Sequence, residues 1–540
     1  MSREIRSLLL VVGVLALLVM GFGGRRLEEP GLYYDEVIQA TPASEFLREG
    51  GEPLGIPGAR NTWLFGGWFP LMTQPYMGAL KSQLLIPSFA AFGASRETLR
   101  LTTLAWSCVG LLLVTLWARE VYGLRVALAM AALLAFDPGF FFAGRHDWGS
   151  TSLSLMCRGG GLWLAMLGWR RDSAARLAAG GVLLGLGIFN KIDFVPFLAG
   201  CGLALLVAAP PATLAAARER PARIGAFAAG LVLGVAPLLL TLDGVFSATE
   251  AMFRSTQLRP DDLGEKIFAW RTLLDGSYFH RLMLAGGSFD RLREVSDAAS
   301  SPFGWIFAAA WAGLAARTAL HWRRGAPDRP SLFALLATLV TLLLLLATPR
   351  AARIHHVLNV QPLPQLVVAL ALARLAAWSP GGRALAVAAL AAALLGGLRV
   401  DARVFDTLRE TGGSGRWSGA LEMLARELPL DVQVVSLDWG FHAPLRLLRP
   451  ELQLSEPVWT MAGRGASIHG GPRHLYLIQE PEYQVFDVGA GLLAALEDLP
   501  DDEFTVRVHT DRSGAPSFRS ISFARPHDLI YRGQVEVRLR

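Results

Sequence analysis

Charge is scarce in this chain. Of its 540 residues only 18% are Asp, Glu, Lys or Arg, against about a quarter in an ordinary soluble domain. With 52% hydrophobic residues and a mean hydropathy of +0.38, that shortage points away from a soluble globule. Cysteine is scarcer still: Cys108, Cys157 and Cys201 are the full set, each in or beside an apolar run and without metal-ligand spacing. A disulfide framework and a cysteine-based metal site are excluded. GxxxxGK[ST], a GxGxxG after a strand, HExxH and GxSxG are all missing, so nucleotide binding, zinc-protease and serine-hydrolase chemistry have no support. The formal charge of +6 does not indicate nucleic acid. The arginines fall mostly in short gaps between apolar runs, where the positive-inside rule puts them.

What is present is apolar length. A spanning helix needs roughly 20 mostly apolar residues. Eleven stretches qualify, at about 7–24, 99–117, 124–142, 150–169, 174–190, 193–209, 223–242, 303–320, 331–348, 356–377 and 382–398. The first follows Arg3 and Arg6 and has no small-residue cleavage site after it, so it reads as an uncleaved helix with a cytoplasmic N-terminus. The stretch "PYMGALKSQLLIPSFAAFG", 75–93, is long enough to span but contains Lys81 and Gln83. A central lysine is costly in a bilayer, and the stretch reads as a helix lying in the interface plane. Parity agrees. The Arg-bearing gaps at 118–123, 170–176, 210–223, 321–330 and 378–383 then face the cytoplasm, and loops 25–98, 143–149, 243–302 and 349–356 share the outer face.

The expected fold class is a polytopic α-helical membrane protein with a C-terminal soluble α/β domain. Residues 1–399 form the membrane domain and 400–540 lie outside. Past 400 charges become frequent; "DVQVVSL", "HLYLI" and "FTVRVHT" alternate as strands do, while "SGALEMLARELP" and "GLLAALEDLP" read as helices.

Four ionisable clusters collect on the outer face. "GLYYDEVIQA", 31–40, holds Asp35 and Glu36 ahead of an expected interfacial helix at 36–49; Asp35 is either a helix N-cap or a catalytic carboxylate. "DPGFFFAGRHDWGSTSL", 137–153, brings Arg145, His146 and Asp147 to one turn, and ionisable groups at membrane depth mark sites because leaving them unpaired is expensive. "LGIFNKIDFVPFLAG", 186–200, puts Lys191 in a hairpin with almost no loop; its ammonium either pairs with Asp193 or holds a phosphate. "TPRAARIHHVLNVQPLPQL", 348–366, carries Arg350, Arg353, His355 and His356. Adjacent histidines point apart on a helix, which speaks against zinc; a cationic cup for phosphate fits better, with lipid-headgroup contact as the alternative. The tripeptide "DWG" occurs at 147–149 and at 438–440, and the repeat by itself carries no inference.

The order of these features resembles the GT-C superfamily of polyprenyl-phosphate-sugar-dependent glycosyltransferases. The features are an outer loop opening with Asp-Glu, "FGASRETLRL" leading into the second span, an outer R-x-D turn, a hairpin lysine, a "HHVLNVQPLPQL" late helix and an outer tail. Within the superfamily the chain looks most like the branch of protein O-mannosyltransferases and lipid A aminoarabinose transferases, over about residues 1–400. The resemblance implies an integral-membrane glycosyltransferase with an inverting displacement, in a bacterial plasma membrane with an extracytoplasmic active site. Its partners would be a polyprenyl-phosphate-linked sugar, an extracytoplasmic acceptor and membrane lipid. It places Asp35, with Glu36 and Asp147, in the catalytic set, Asp35 as general base. It places Arg145, Lys191, Arg353, His355 and His356 at the donor phosphate. By analogy with oligosaccharyltransferases it raises a divalent metal between Asp35 and Asp147, and it implies no organic cofactor. The lectin-like domain of eukaryotic mannosyltransferases has no counterpart here, which puts a protein acceptor in doubt. A transporter or lipid flippase using the same outer charges is the rival reading, although charges crowd one face and the halves do not match, unlike a transporter.

Overall fold

The computed structural model describes residues 3–56, 58–239, 241, 260–348, 353–459, 461 and 465–540. Helices dominate up to Thr411 and sheets follow. The first helix, Arg3–Gly23, shows how the membrane part is built: Leu8, Val12, Leu15 and Val19 are buried, while Leu10, Leu17 and Leu18 are exposed. One stripe at helical spacing packs inward, and the rest is apolar because its surroundings are lipid.

Among the described residues seven helices are long and apolar enough to cross a membrane, or eight if one bent pair counts as a single span. The eleven expected spans are therefore not all supported by length. The stretch at 124–142 is broken into Leu124–Ala135 and Pro138–His146, bent by 63°. The cause is local: Asp137 precedes a proline, adopts an extended ψ of 120° and caps the second piece by accepting from Phe140 N at 2.9 Å. Ala174–Asn190 and Ile192–Ala208 are shorter apolar helices meeting at the Lys191 turn. Residue 240 and the segment 242–259 lie outside the described residues, so the end of the expected 223–242 span and the start of the loop at 243–302 are not described.

Two helices pack through glycine. A Cβ at Gly230 would meet the Ala178 carbonyl, one at Gly181 the Phe227 carbonyl and one at Gly234 the Val182 carbonyl. Ala174–Asn190 and Pro221–Leu239 thus touch backbone to backbone, which only small residues allow.

The 75–93 stretch holds a 13-residue helix, Leu80–Phe92, about 20 Å long and too short to span. The expected helix at 36–49 is two short pieces, Tyr34–Val37 and Thr41–Leu47. Between them and Leu80 lies an antiparallel sheet of Arg60–Leu64, Gly67–Gln74 and Met77–Gly78, where the sequence reading had placed no strand.

The helix Pro380–Thr411 runs without a break across residues 399 and 400 into the tail. There a five-stranded sheet has the order Gln453–Ser455, Gln433–Ser436, His474–Gln479, Pro516–Phe523, Phe504–Thr510, parallel in its first three strands and antiparallel in the rest. A second sheet pairs Val535–Leu539, His527–Tyr531 and Ala466–Gly470. Helices Ala420–Glu427 and Val488–Leu496 fall where the sequence placed them. The tail is clasped to the first loop. Gly31 N donates to Trp417 O at 2.7 Å, Leu32 N to Glu422 at 3.2 Å and Arg512 to Glu29 at 2.7 Å.

Candidate active site

A cavity of about 180 Å³ opens where the first loop, the turn after His146, the segment before the late helix and the tail meet. Its walls are Tyr33 and Asp35, Trp148, Tyr278 and Phe289, Arg353 to His355, then Arg416, Trp439 and Val485.

The first wall is pinned from behind. Glu36 is fully buried and receives Arg100 at both carboxylate oxygens, 2.7 and 2.9 Å. The same guanidinium donates to Leu27 O, Pro30 O and Gly31 O, so one arginine ties the whole loop to the Arg96–Tyr122 helix. Lys81 Nζ adds a bond to Glu36 O at 3.2 Å. Asp35, next in the chain, turns the other way into the cavity. It lies inside the first turn of Tyr34–Val37, whose N-cap is Tyr33, so it is not the cap itself.

The second wall is a strained turn. Asp147 (φ 44°), Gly149 (φ 71°) and Ser150 (φ 57°) all have positive φ, a costly arrangement that persists only where its surroundings impose it. Asp147 accepts from Ser152 N at 2.9 Å and Thr151 Oγ1 at 3.2 Å, and ion-pairs with Lys81 at 3.1 Å. Asn190 holds Ser150 O at 3.1 Å. The result presents Trp148 to the cavity. A Cβ at Gly149 would stand 3.0 Å from Lys191 Nζ and 3.2 Å from the His355 ring, so glycine is what lets the turn approach both.

The third wall is cationic. Lys191 pairs with Asp193 at 2.9 Å, and Asp193 also contacts His356 Nδ1 at 3.0 Å. Arg353 lies over the Phe289 ring at 4.0 Å, and His355 packs against His356 with ring centres 4.2 Å apart and the rings tilted by 47°. From the tail, Arg416 lies over Trp439 at 5.4 Å and donates to Tyr483 O. Trp417 beneath it packs on Tyr33, Trp148 and Phe289, with ring centres at 4.5, 5.2 and 5.4 Å. Burial pushes the Asp35 carboxyl above the usual carboxylate range. Lys191 is the largest opposing charge, and the Tyr33 hydroxyl, Arg416 and Arg353 act in the same direction.

The structure thus brings Asp35, Arg353 and His355 to one cavity, with Lys191 and His356 just behind its wall. It turns Glu36, Asp147 and Arg145 away from it. Arg145 is buried against the end of the first helix, donating to Gly23 O at 3.0 Å and Arg25 O at 2.9 Å and to Arg26 O, with Phe405 under its guanidinium. Arg350 lies outside the described residues. Sequence reading missed Tyr33, Trp148, Tyr278, Arg416 and Trp439. The two DWG tripeptides each supply a tryptophan to the cavity, a convergence that no spacing rule predicts.

A metal between Asp35 and Asp147 does not fit these residues. The Asp147 carboxylate is already committed to an ammonium, a backbone N–H and a hydroxyl. Among the described residues no group of three or more His, Cys, Asp or Glu side chains is arranged to hold an ion.

No protein-family model and no curated protein matches the chain in sequence. Solved structures do match in fold. The apo crystal structure of ArnT from Cupriavidus metallidurans aligns with a TM-score of 0.55 at 14% identity, covering 96% of this chain and 98% of that one. The same ArnT bound to undecaprenyl phosphate aligns with a TM-score of 0.53 at 16% identity, covering 95% and 97%. The Archaeoglobus fulgidus oligosaccharyltransferase in complex with Zn and sulfate aligns less well, with a TM-score of 0.49 at 14% identity, covering 82% of this chain and 62% of that one. The chain therefore shares the fold of ArnT over nearly its whole length.

Proposed function

We propose that this protein is an integral-membrane glycosyltransferase that moves a sugar from a polyprenyl-phosphate donor to an acceptor hydroxyl on the non-cytoplasmic side. The observation that supports it is a single carboxylate, Asp35, facing a cavity bordered by Arg353 and Arg416, with the Lys191 charge acting on it from behind the wall. The fold shared with an ArnT solved with undecaprenyl phosphate makes a lipid phosphate the anion to expect.

In this reading the acceptor oxygen attacks the anomeric carbon while Asp35 takes its proton. The bond from the anomeric carbon to the phosphate oxygen breaks, and the electron pair leaves with the polyprenyl phosphate. The step is a single displacement and inverts configuration. A buried carboxylate with a raised pKa is a better-matched base than a solvated one. Arginines and a lysine held beside a water-poor cavity stabilise the departing phosphate where electrostatics act strongly. Glu36, Asp147 and Arg145 are positioning residues in this scheme: they hold the loop, the turn and the helix end that carry the reacting groups. Tyr278 and Phe289 reach the cavity from 260–302, the described part of the outer loop, which fits that part covering the site. The N-terminus is assigned to the cytoplasm and the tail to the outer face of a bacterial plasma membrane.

The test is mass spectrometry of lipid that copurifies with the full chain. A polyprenyl phosphate or its sugar ester, held by the wild type and lost on Arg353→Ala, is expected. Phospholipid alone, in wild type and variant equally, would remove the reading.

A further inference from the structure

The first loop carries an exposed apolar tip that the catalytic reading does not use. In the Arg60–Gln74 hairpin Trp63 is 61% exposed, Phe65 86% and Trp68 38%. Trp63 and Trp68 are cross-strand partners with ring centres 5.3 Å apart. The two-residue turn is Phe65–Gly66, with φ of 53° and 83°. Asn or Asp would suit the first of these positions; a bulky aromatic there is strained. A fold that keeps an exposed phenylalanine at a strained turn is presenting it to something.

Three observations say to what. First, no Asp or Glu occurs between Glu52 and Glu97, and Arg60 is the hairpin's only charged residue. Second, the stretch that follows the hairpin attaches at the ends of apolar helices. Tyr76 O accepts from Ile192 N at 3.2 Å, and Gly78 packs against Phe189 at the end of Ala174–Asn190. Further along the chain Phe92 lies four residues before Arg96, where a candidate span begins. Third, the apolar face continues along Leu80–Phe92, where Leu84 is 41% and Phe92 80% exposed. Aromatic rings flanked by cationic and uncharged polar groups, tethered at the level where spans end, have the composition of the membrane–water interface.

We infer that the Arg60–Gln74 hairpin dips its aromatic tip into the headgroup–acyl boundary of the leaflet on the cavity's side, anchoring the first loop there. The inference depends on the chain spanning a bilayer and not on the sugar-transfer chemistry.

The experiment uses the full chain in lipid nanodiscs. Phe65→Cys and, as a control in the tail, Asp502→Cys are each labelled with an environment-sensitive fluorophore. Unmutated protein gives the background from buried Cys157 and Cys201 and half-buried Cys108. The label at 65 is expected to emit to the blue of the label at 502. Lipids carrying a nitroxide near the headgroup should quench it, and aqueous iodide should not. Trp63→Ser, on an exposed side chain, should keep the fold and make the label at 65 accessible to iodide. Equal iodide quenching at 65 and 502 would overturn the inference. So would protection from iodide without lipid quenching, which would mean that another protein or a second copy covers the tip.

Discussion

Lys81 Nζ lies 3.1 Å from Asp147 Oδ2, and both side chains are shut off from solvent. The pair joins the Leu80–Phe92 helix to the strained turn that carries Trp148. It also accounts for a lysine in an otherwise apolar stretch: the charge is held inside the protein by a carboxylate and two carbonyls. Removing one partner leaves the other buried and uncompensated, at a cost of about 3–5 kcal/mol. Lys81→Met should lower the thermal midpoint of the detergent-solubilised protein sharply. Lys81→Met with Asp147→Asn should recover much of that loss, because no charge is then stranded. A double variant no more stable than the single one would show that the pair is not the determinant.

Neighbouring acids should separate by phenotype. Asp35→Asn is expected to abolish sugar transfer while leaving expression and melting unchanged, since Asp35 faces a cavity. Glu36→Gln weakens the bidentate bond from Arg100 and should lower stability first, by roughly 1–3 kcal/mol. Melting curves and turnover measured on both variants decide the assignment; full activity in Asp35→Asn would end the general-base role.

Donor binding should respond to the cationic wall. Lys191→Ala and Arg353→Ala are expected to raise the apparent KM for the polyprenyl-phosphate sugar about tenfold or more, as loss of a charge-assisted contact does. Arg416→Ala should do the same from the tail. Initial rates against donor concentration make the comparison, and an unchanged KM in all three would move the phosphate elsewhere.

The pH profile carries a sign. Asp35 must be ionised to accept a proton, and burial raises its pKa. Activity should therefore fall as pH drops through that raised value, on a limb above the pKa of about 3.9 of a free aspartate. Lys191 is the largest charge opposing the shift, so Lys191→Met should move the acid limb of kcat/KM to still higher pH. A limb that stays put, or moves down, would separate Lys191 from Asp35.

Much of the candidate site was legible because it is costly. Asp35, Lys191, Arg353 and the two histidines stood out as ionisable groups at the ends of apolar runs, which a sequence keeps only where something compensates them. Glu36, Arg145 and Asp147 stood out for the same reason, yet they turn inward to Arg100, to backbone carbonyls and to Lys81. Cost marks a buried charge without saying whether its partner is a substrate or the protein. Trp148, Tyr278 and Trp439 were invisible because an aromatic in an apolar chain carries no such mark.

The sequence by itself determined a helical membrane part, an α/β tail and the clustering of charges at the ends of apolar runs, because these follow from apolar length, alternation and the placement of charge, all of them local patterns. Only the tertiary structure decided that the tail forms part of the cavity through Arg416 and Trp439, that the 124–142 stretch bends by 63°, and which acid of the Asp35–Glu36 pair faces the cavity. Those outcomes depend on which distant side chains meet, and contact between residues far apart in the chain is set by the packing of whole helices and sheets.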